Sequence, residues 1–182
     1  MKHVSASLRT PHSARRTSQG VGFERLWAPW RRTYLVQTPP RHCIFCVAKR
    51  SRTDRRHHVV SRGTLVFALL NRYPYNNGHL LIAPYRHVGQ LEMITALEWT
   101  DLLRMTQALT TRLRRTLHSQ AFNLGLNLGR AAGAGIPGHL HLHVVPRWNG
   151  DTNFMPILAD TKVISQSLGE LYGLLTAPPI RV

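Results

Sequence analysis

Hydrophobic and polar residues follow strand-like patterns directly after residue 63. The continuous apolar run at residues 64–70 (TLVFALL) predicts a buried strand. The next segment, residues 71–78 (NRYPYNNG), predicts a turn, because its Asn77-Gly78 pair favours positive φ. Residues 79–83 predict a second strand, closed by Pro84. Together these segments predict a hairpin-like unit.

A helical pattern comes next along the chain. Thr95 with Glu98 three residues later forms a capping-box pattern, which favours a helix start. Apolar residues then recur at helical spacing to about His118, at Leu102, Met105, Leu109, Leu113 and Leu117. We therefore expect a long helix that covers one face of a sheet. Residues 165–175 predict a short closing helix.

Two further strands flank a glycine-rich loop. Residues 122–128 alternate apolar side chains with Asn123, Gly125 and Asn127, which is strand periodicity. Residues 129–138 (GRAAGAGIPG) hold too much glycine for a helix or strand and predict a loop. Residues 139–145 (HLHLHVV) again predict a strand. The order β, β, α, β, loop, β, α indicates an α+β domain built on an antiparallel sheet.

Composition adds limits to this picture. The chain has 182 residues and a formal charge of +16, and no apolar run approaches the roughly 20 residues that a transmembrane helix needs. Residues 1–62 carry 14 basic and 2 acidic side chains, so the charge is mainly N-terminal. Residues 1–22 predict a disordered basic tail, or alternatively a transit peptide. Residues 23–62 predict an irregular lead-in, and residues 63–182 the catalytic domain.

The strongest candidate chemistry lies in the last predicted strand. Because side chains alternate along a strand, His139, His141 and His143 share one face while the leucines between them face the core. A neutral imidazole is a good nucleophile near pH 7, and attack by His141 on phosphorus would divide a difficult displacement into two easier steps. We expect His143, Asn127 and the loop amides to supply the donors that neutralise phosphate charge.

The cysteine pair predicts a metal or redox site in a reducing compartment, with the cytoplasm as the default location. Cys43 and Cys46 supply two thiolates, and two nitrogen ligands would complete a tetrahedral zinc site. Two completions are open from the residues alone. A local site would use His42, His57 or His58, whereas a long-range site would use His87 and His139.

The motif at residues 139–145 resembles the His-φ-His-φ-His-φ-φ signature of the histidine triad family, and the resemblance covers residues 26–175. Residues 26–31 (LWAPWR), 71–79 (NRYPYNNGH) and 146–156 (PRWNGDTNFMP) are similar to the bacterial diadenosine tetraphosphate phosphorylase type within that family. The resemblance implies an enzyme that forms a covalent nucleotidyl-histidine. Phosphorolysis of diadenosine tetraphosphate to ADP and ATP is the leading hypothesis. A triad hydrolase of dinucleoside polyphosphates or phosphoramidates is the alternative, and a nucleic-acid-binding protein is the alternative from another class.

The resemblance also assigns roles to individual positions. It implies that His141 attacks the α-phosphorus, that His143 and Asn127 hold phosphate oxygens, that Asn71 lies near the ribose, and that His79 supports the hydrogen-bond network. It favours the long-range metal site, a structural zinc bound by Cys43, Cys46, His87 and His139. The loop has no hydroxyl side chain, which leaves the backbone amides of Gly133, Ala134 and Gly135 as donors. Trp148, with Trp27 and Trp30, is a candidate for base stacking. By analogy with the family we expect a homo-oligomer that binds a nucleotide and inorganic phosphate, and neither a membrane nor a nucleic acid.

Overall fold

The computed structural model describes residues 42–152 and 163–178, and within them it has a single five-stranded sheet with helices on both faces. The elements in chain order are helix α1 (Ile44–Arg50), helix α2 (Asp54–His57), strand β1 (Val59–Arg62), strand β2 (Val66–Leu70), strand β3 (Leu80–Pro84), a 3-10 turn (Leu91–Met93), helix α3 (Ala96–Leu117), strand β4 (Ala121–Leu126), strand β5 (Leu142–Arg147) and helix α4 (Leu168–Thr176). The strand order is β1-β2-β3-β5-β4, and every neighbouring pair is antiparallel.

The sheet separates two hydrophobic clusters. On one face, which we call the helix face, α3 and α4 cover even-numbered side chains such as Val66, Ile82 and Val144. On the other face, which we call the histidine face, α1 covers odd-numbered side chains such as Phe67 and Leu81. This alternation follows from the period of two along a strand. The histidines of the motif therefore share their face with α1 and not with the long helix.

The capping box predicted at the start of α3 is present in the structure. Thr95 accepts a hydrogen bond from the Glu98 backbone N–H, and the Glu98 carboxylate accepts one from the Thr95 N–H. The same carboxylate binds the Arg86 guanidinium at 2.8 Å through both oxygens. This pairing lowers the pKa of Glu98 to about 2, with the Arg86 hydrogen bonds as the main cause. The helix start is thus tied to the chain that follows β3.

The α+β class, the antiparallel sheet, the long helix and the C-terminal helix are confirmed. The expectation of an irregular segment before residue 63 is wrong for residues 42–62, which contain α1, α2 and strand β1. Strand β1 pairs with β2, so it extends the sheet by one edge strand. The predicted tail at residues 1–22, together with Trp27 and Trp30, lies outside the described residues. None of the described helices has the length and apolar character that crossing a bilayer requires.

The last strand begins later than predicted. Leu142 is its first residue, so His139 and His141 precede the regular ladder. The β3–β5 register pairs Ile82 with Leu142 and would next place Pro84 opposite Leu140. Proline has no N–H to donate, and the Leu140 N–H binds the Val88 carbonyl at 2.7 Å instead. The ladder ends there, and the Pro84 carbonyl is left for a side chain.

Candidate active site and metal centre

The three histidines of the motif lie together on the histidine face and are all buried. The rings of His141 and His143 are 5.0 Å apart between centroids. Burial lowers the pKa of His143 and of His139 to about 4 each, and it also lowers the pKa of His141. All three imidazoles are therefore neutral near pH 7, and the chemistry depends on which ring nitrogen carries the proton.

Backbone contacts fix the tautomer of His141. Its Nδ1 lies 2.8 Å from the carbonyl oxygen of His139, and a carbonyl only accepts, so Nδ1 carries the proton. The lone pair is then on Nε2, which makes no hydrogen bond within the described part of the chain. A neutral imidazole with a free Nε2 is a nucleophile ready for attack.

A second chain of hydrogen bonds fixes the tautomer of His143. The Tyr75 backbone N–H donates to His79 Nδ1 at 3.0 Å, so the proton of His79 is on Nε2. That Nε2 lies 3.0 Å from His143 Nδ1 and donates to it. The proton of His143 is therefore on Nε2, where it is buried and has no partner among the described residues. His143 presents a fixed donor beside the nucleophile.

Burial keeps this relay uncharged. His79 is fully buried, and desolvation lowers its pKa to about 3. The Asn71 side-chain amide also lies 3.3 Å from His79 Nδ1, so Asn71 belongs to the same network. Tyr75 is a site residue that the sequence motifs do not identify. Its backbone N–H sets the relay, and its ring stacks on that of His143 with centroids 5.6 Å apart and an interplanar angle of 3°. Its place in the turn before His79 gave no signal of either contact.

Asn127 directly follows strand β4. The β4–β5 register pairs Leu126 with Leu142, so continuing by one residue places Asn127 opposite His141. Its side chain is half-buried and makes no hydrogen bond to the described residues. The amide is therefore free to bind a ligand on the histidine face.

The glycine-rich loop offers fewer donors than expected. The Gly133 N–H already binds the Arg130 carbonyl at 2.9 Å, and the Ala134 N–H binds the Gly129 carbonyl at 3.2 Å. Of the three amides predicted to bind phosphate, only that of Gly135 has no backbone partner in the described ranges. Two of the three predicted donors are therefore used within the loop itself.

Trp148 lies on the other side of the sheet from the histidines. Its indole N–H donates to the carbonyls of Leu117 and His118 at the end of α3, which packs on the helix face. The ring lines a cavity of about 560 Å³ together with Thr116 and Gln166. The structure does not bring Trp148 to the triad, because these hydrogen bonds hold its ring at the end of α3.

Four metal-ligating side chains converge beside the triad. One nitrogen or sulfur atom from each of them lies within 4.8 Å of the others, and the four residues are Cys43, Cys46, His87 and His139. His139 Nδ1 is 3.3 Å from Cys43 Sγ and 3.8 Å from Cys46 Sγ, and His87 Nδ1 is 3.3 Å from Cys46 Sγ. A tetrahedral zinc with ordinary bond lengths separates nitrogen from sulfur by about 3.6 Å. The donor set and its spacing fit zinc.

The ring of His139 is oriented for this role. Its Nε2 donates to the Pro84 carbonyl at 2.8 Å, which leaves the lone pair on Nδ1, facing the two sulfurs. A metal-binding histidine commonly donates its other N–H to a backbone carbonyl in this way. The local alternative fails within the described residues, because His42, His57 and His58 are not part of the converging group. His58 instead lies against the Tyr172 ring at 6.2 Å.

A close backbone approach brings His87 to His139. A Cβ on Gly89 would lie 2.5 Å from the Pro137 carbonyl oxygen, so only glycine fits between the two segments. The rings of His87 and His139 are then 5.1 Å apart. Two segments that are distant along the chain meet here to complete the donor set.

The fold and this site define a histidine triad protein. The HIT domain family model matches residues 52–150, and the chain belongs to that family. It is 42% identical over 169 residues to the AP-4-A phosphorylase of Mycobacterium tuberculosis, which covers 86% of this chain and 87% of the relative.

Solved structures of the same fold are also similar. A zinc-bound histidine triad family protein from Mycobacterium smegmatis superposes with a TM-score of 0.58 at 26% identity, covering 74% of this chain and 90% of the other. A hypothetical histidine triad nucleotide-binding protein from Sulfolobus tokodaii superposes with a TM-score of 0.59 at 25% identity, covering 74% and 87%. The family resemblance inferred from the motif is thus confirmed.

Proposed function

We propose that this protein is a nucleotidyl-transferring enzyme that cleaves dinucleoside polyphosphates, with diadenosine tetraphosphate as substrate and inorganic phosphate as acceptor. One observation carries the proposal. His141 presents an unprotonated Nε2 beside the fixed Nε2–H donor of His143, and both are buried in a face that excludes much of the water. The mycobacterial relative named AP-4-A phosphorylase supports the choice of substrate and acceptor.

The first step forms a bond between His141 Nε2 and the α-phosphorus. The bond from that phosphorus to the bridging oxygen breaks, and ATP leaves with the electron pair while AMP stays on Nε2. The positive charge that develops on the imidazole is stabilised through its Nδ1–H bond to the His139 carbonyl. The His143 donor and the free Asn127 amide supply hydrogen bonds to the phosphate and leaving-group oxygens.

The second step returns the enzyme to its starting state. An oxygen of inorganic phosphate attacks the same phosphorus, the P–N bond breaks, and ADP is released. The lone pair returns to Nε2, so no proton has to move between the two nitrogens of His141. Water in place of phosphate would give AMP, and every protein residue would have the same role.

Product analysis tests the acceptor. Purified protein is incubated with diadenosine tetraphosphate, with and without phosphate, and the nucleotides are resolved by ion-exchange chromatography. We expect ADP and ATP in amounts that depend on phosphate. Formation of AMP and ATP at a rate that phosphate does not change would identify a hydrolase and refute the phosphorylase assignment.

A substitution of the nucleophile tests the covalent step. Asn at position 141 keeps a side-chain N–H near the His139 carbonyl but removes the attacking nitrogen. Mass spectrometry under mildly alkaline conditions, where a P–N bond survives, should find nucleotide on the wild-type chain and none on His141→Asn. Full turnover by the variant would disprove the role of His141.

We also propose that Cys43, Cys46, His87 and His139 hold a structural zinc. The two thiolates and the two imidazoles would hold the zinc, which would restrain the backbone of His139, whose carbonyl orients the nucleophile. We expect about one zinc per chain by atomic emission, and its loss in Cys46→Ser together with a lower Tm. Zinc content and Tm that Cys46→Ser leaves unchanged would contradict the assignment. The homo-oligomer and the cytoplasmic location stay predictions.

A further inference from the structure

Phe45 is a fully buried residue placed between the two cysteines. It lies in the first turn of α1, one residue before Cys46, and its side chain enters the cluster on the histidine face with 0% exposure. Its ring meets Phe67 edge-on at 6.4 Å. An apolar residue between two metal-ligating cysteines is expected to be a spacer, but the side chain of this one packs against the triad.

The phenyl ring contacts two of the three histidines. It lies 4.9 Å from the His139 ring with a 42° tilt and 5.0 Å from the His141 ring with a 35° tilt. On its other side the His141 ring meets His143 at 5.0 Å. The nucleophilic imidazole is therefore held between a phenyl ring and a second imidazole.

This contact supplies a restraint that the hydrogen bonds do not supply. His141 has one polar anchor, the Nδ1–H bond to the His139 carbonyl. An imidazole anchored at one edge can still pivot about that bond, and the pivot carries Nε2 along an arc. A ring packed against its face blocks the pivot, and the closely packed cluster around Phe45 does not yield easily.

We propose that Phe45 is a positioning residue for His141, which holds the attacking Nε2 on the line of approach to phosphorus. This inference rests on the proposed function of His141 as nucleophile. It assigns Phe45 a role beyond filling the core and beyond spacing the two cysteines. The backbone that carries the ring is flanked by Cys43, two residues before it, and Cys46, one residue after it, and both belong to the proposed metal centre.

The test compares Phe45→Leu with Phe67→Leu. Both variants remove a buried phenyl ring from the same cluster, but the Phe67 ring packs on Phe45 and Tyr85 and, among the described residues, makes no ring contact with a triad histidine. Because small displacements of a reacting group are costly, we expect Phe45→Leu to lower kcat by about 10-fold to 100-fold with little change in KM. Phe67→Leu should keep kcat near the wild-type value while losing a similar amount of thermal stability.

Two measurements separate positioning from a general loss of structure. Zinc per chain should be equal in both variants and the wild type, which excludes loss of the metal centre as the cause. The Cε1–H proton resonance of His141, assigned by its absence in His141→Asn, should shift in Phe45→Leu and not in Phe67→Leu, because it lies in the ring current of Phe45. If Phe45→Leu does not fold, Phe45→Met replaces it under the same criteria.

The outcomes are distinct. Equal kcat values and equal His141 resonances in the two variants would overturn the positioning role. If wild-type protein fails to cleave diadenosine tetraphosphate, the proposed function fails, while the resonance comparison still reports whether the Phe45 ring packs against His141. A lower kcat in Phe45→Leu with intact zinc and a shifted resonance supports the inference.

Discussion

The hydrogen-bond relay behind His143 makes a sharp prediction about His79. The geometry requires His79 Nε2 to donate to His143 Nδ1, because the Tyr75 N–H occupies His79 Nδ1. A glutamine at position 79 places its amide nitrogen near the position of Nε2 and keeps the donor. A leucine of similar size keeps the buried volume but removes the donor. The comparison of His79→Gln with His79→Leu therefore tests the single hydrogen bond from position 79 to His143 Nδ1.

The structure gives the expected size of the losses of stability and kcat in His79→Leu. In His79→Leu the buried Nδ1 of His143 loses the one hydrogen-bond partner that it has among the described residues, which costs about 1–3 kcal/mol. Tyr75 is half-exposed, and Asn71 is partly exposed, so water can replace their lost partner and they add little. For a chain of this size the cost lowers Tm by about 2–12 °C. His143 also becomes free to carry its proton on Nδ1, and loss of a transition-state donor costs about 100-fold in kcat.

Steady-state kinetics with diadenosine tetraphosphate and thermal denaturation measure both effects. We expect His79→Gln to keep kcat within a few-fold of wild type and His79→Leu to lose about 100-fold, with KM little changed in either. Equal kcat values for the two variants would refute the reasoning, since the relay would then not determine where His143 carries its proton. Zinc content serves as the control, because in the described ranges His79 makes no hydrogen bond or ring contact with the four proposed metal ligands.

Other predictions follow from single contacts. Glu98→Gln should destabilise the protein by about 1–2 kcal/mol near pH 7, measured by urea denaturation. The pKa of Glu98 in the folded protein is about 2, below its ordinary 4.5, so the difference in the free energy of unfolding between wild type and variant should persist above pH 4.5 and vanish as pH falls toward 2. A difference that does not change with pH would contradict the role of the Glu98 carboxylate. Gly89→Ala forces a Cβ against the Pro137 carbonyl and should weaken zinc retention during dialysis against a chelator, whereas Gly169→Ala, which has open space, should not. Trp148→Phe should lower Tm slightly and leave KM unchanged, and a large rise in KM would instead support base stacking.

Local patterns predict the elements of this fold well where one face is buried. The long helix is predicted because its apolar residues, its capping box and its length agree. Strand β1 escapes prediction, because it is a four-residue edge strand with mixed burial that directly follows a basic helix. Its apolar residues Val59 and Val60 are too few to show a period of two. Only pairing with β2 makes this segment a strand.

The sequence predicts which residues form the site, but it does not predict which groups those residues contact. The motif identifies three histidines on one face, but it cannot show that the glycine loop uses the amides of Gly133 and Ala134 internally. It also cannot show which face Trp148 takes, because that depends on the turn after β5 and on the end of α3. These facts depend on contacts between segments that are far apart in sequence, and periodicity carries no information about them.

The three histidines are identical in the sequence and chemically different in the structure. His139 directs a lone pair at the thiols because Pro84 accepts its Nε2–H, and His143 presents an Nε2–H because His79 donates to its Nδ1. His141 keeps its lone pair on Nε2 because its own backbone occupies Nδ1. Two of these three assignments are made from strand β3 or the residue just before it, about 55–64 positions away in sequence. The antiparallel pairing of β3 with β5 therefore does more than bury a hydrophobic face, because it fixes the tautomers of His139 and His143, the residues that we propose bind the metal and donate to phosphate.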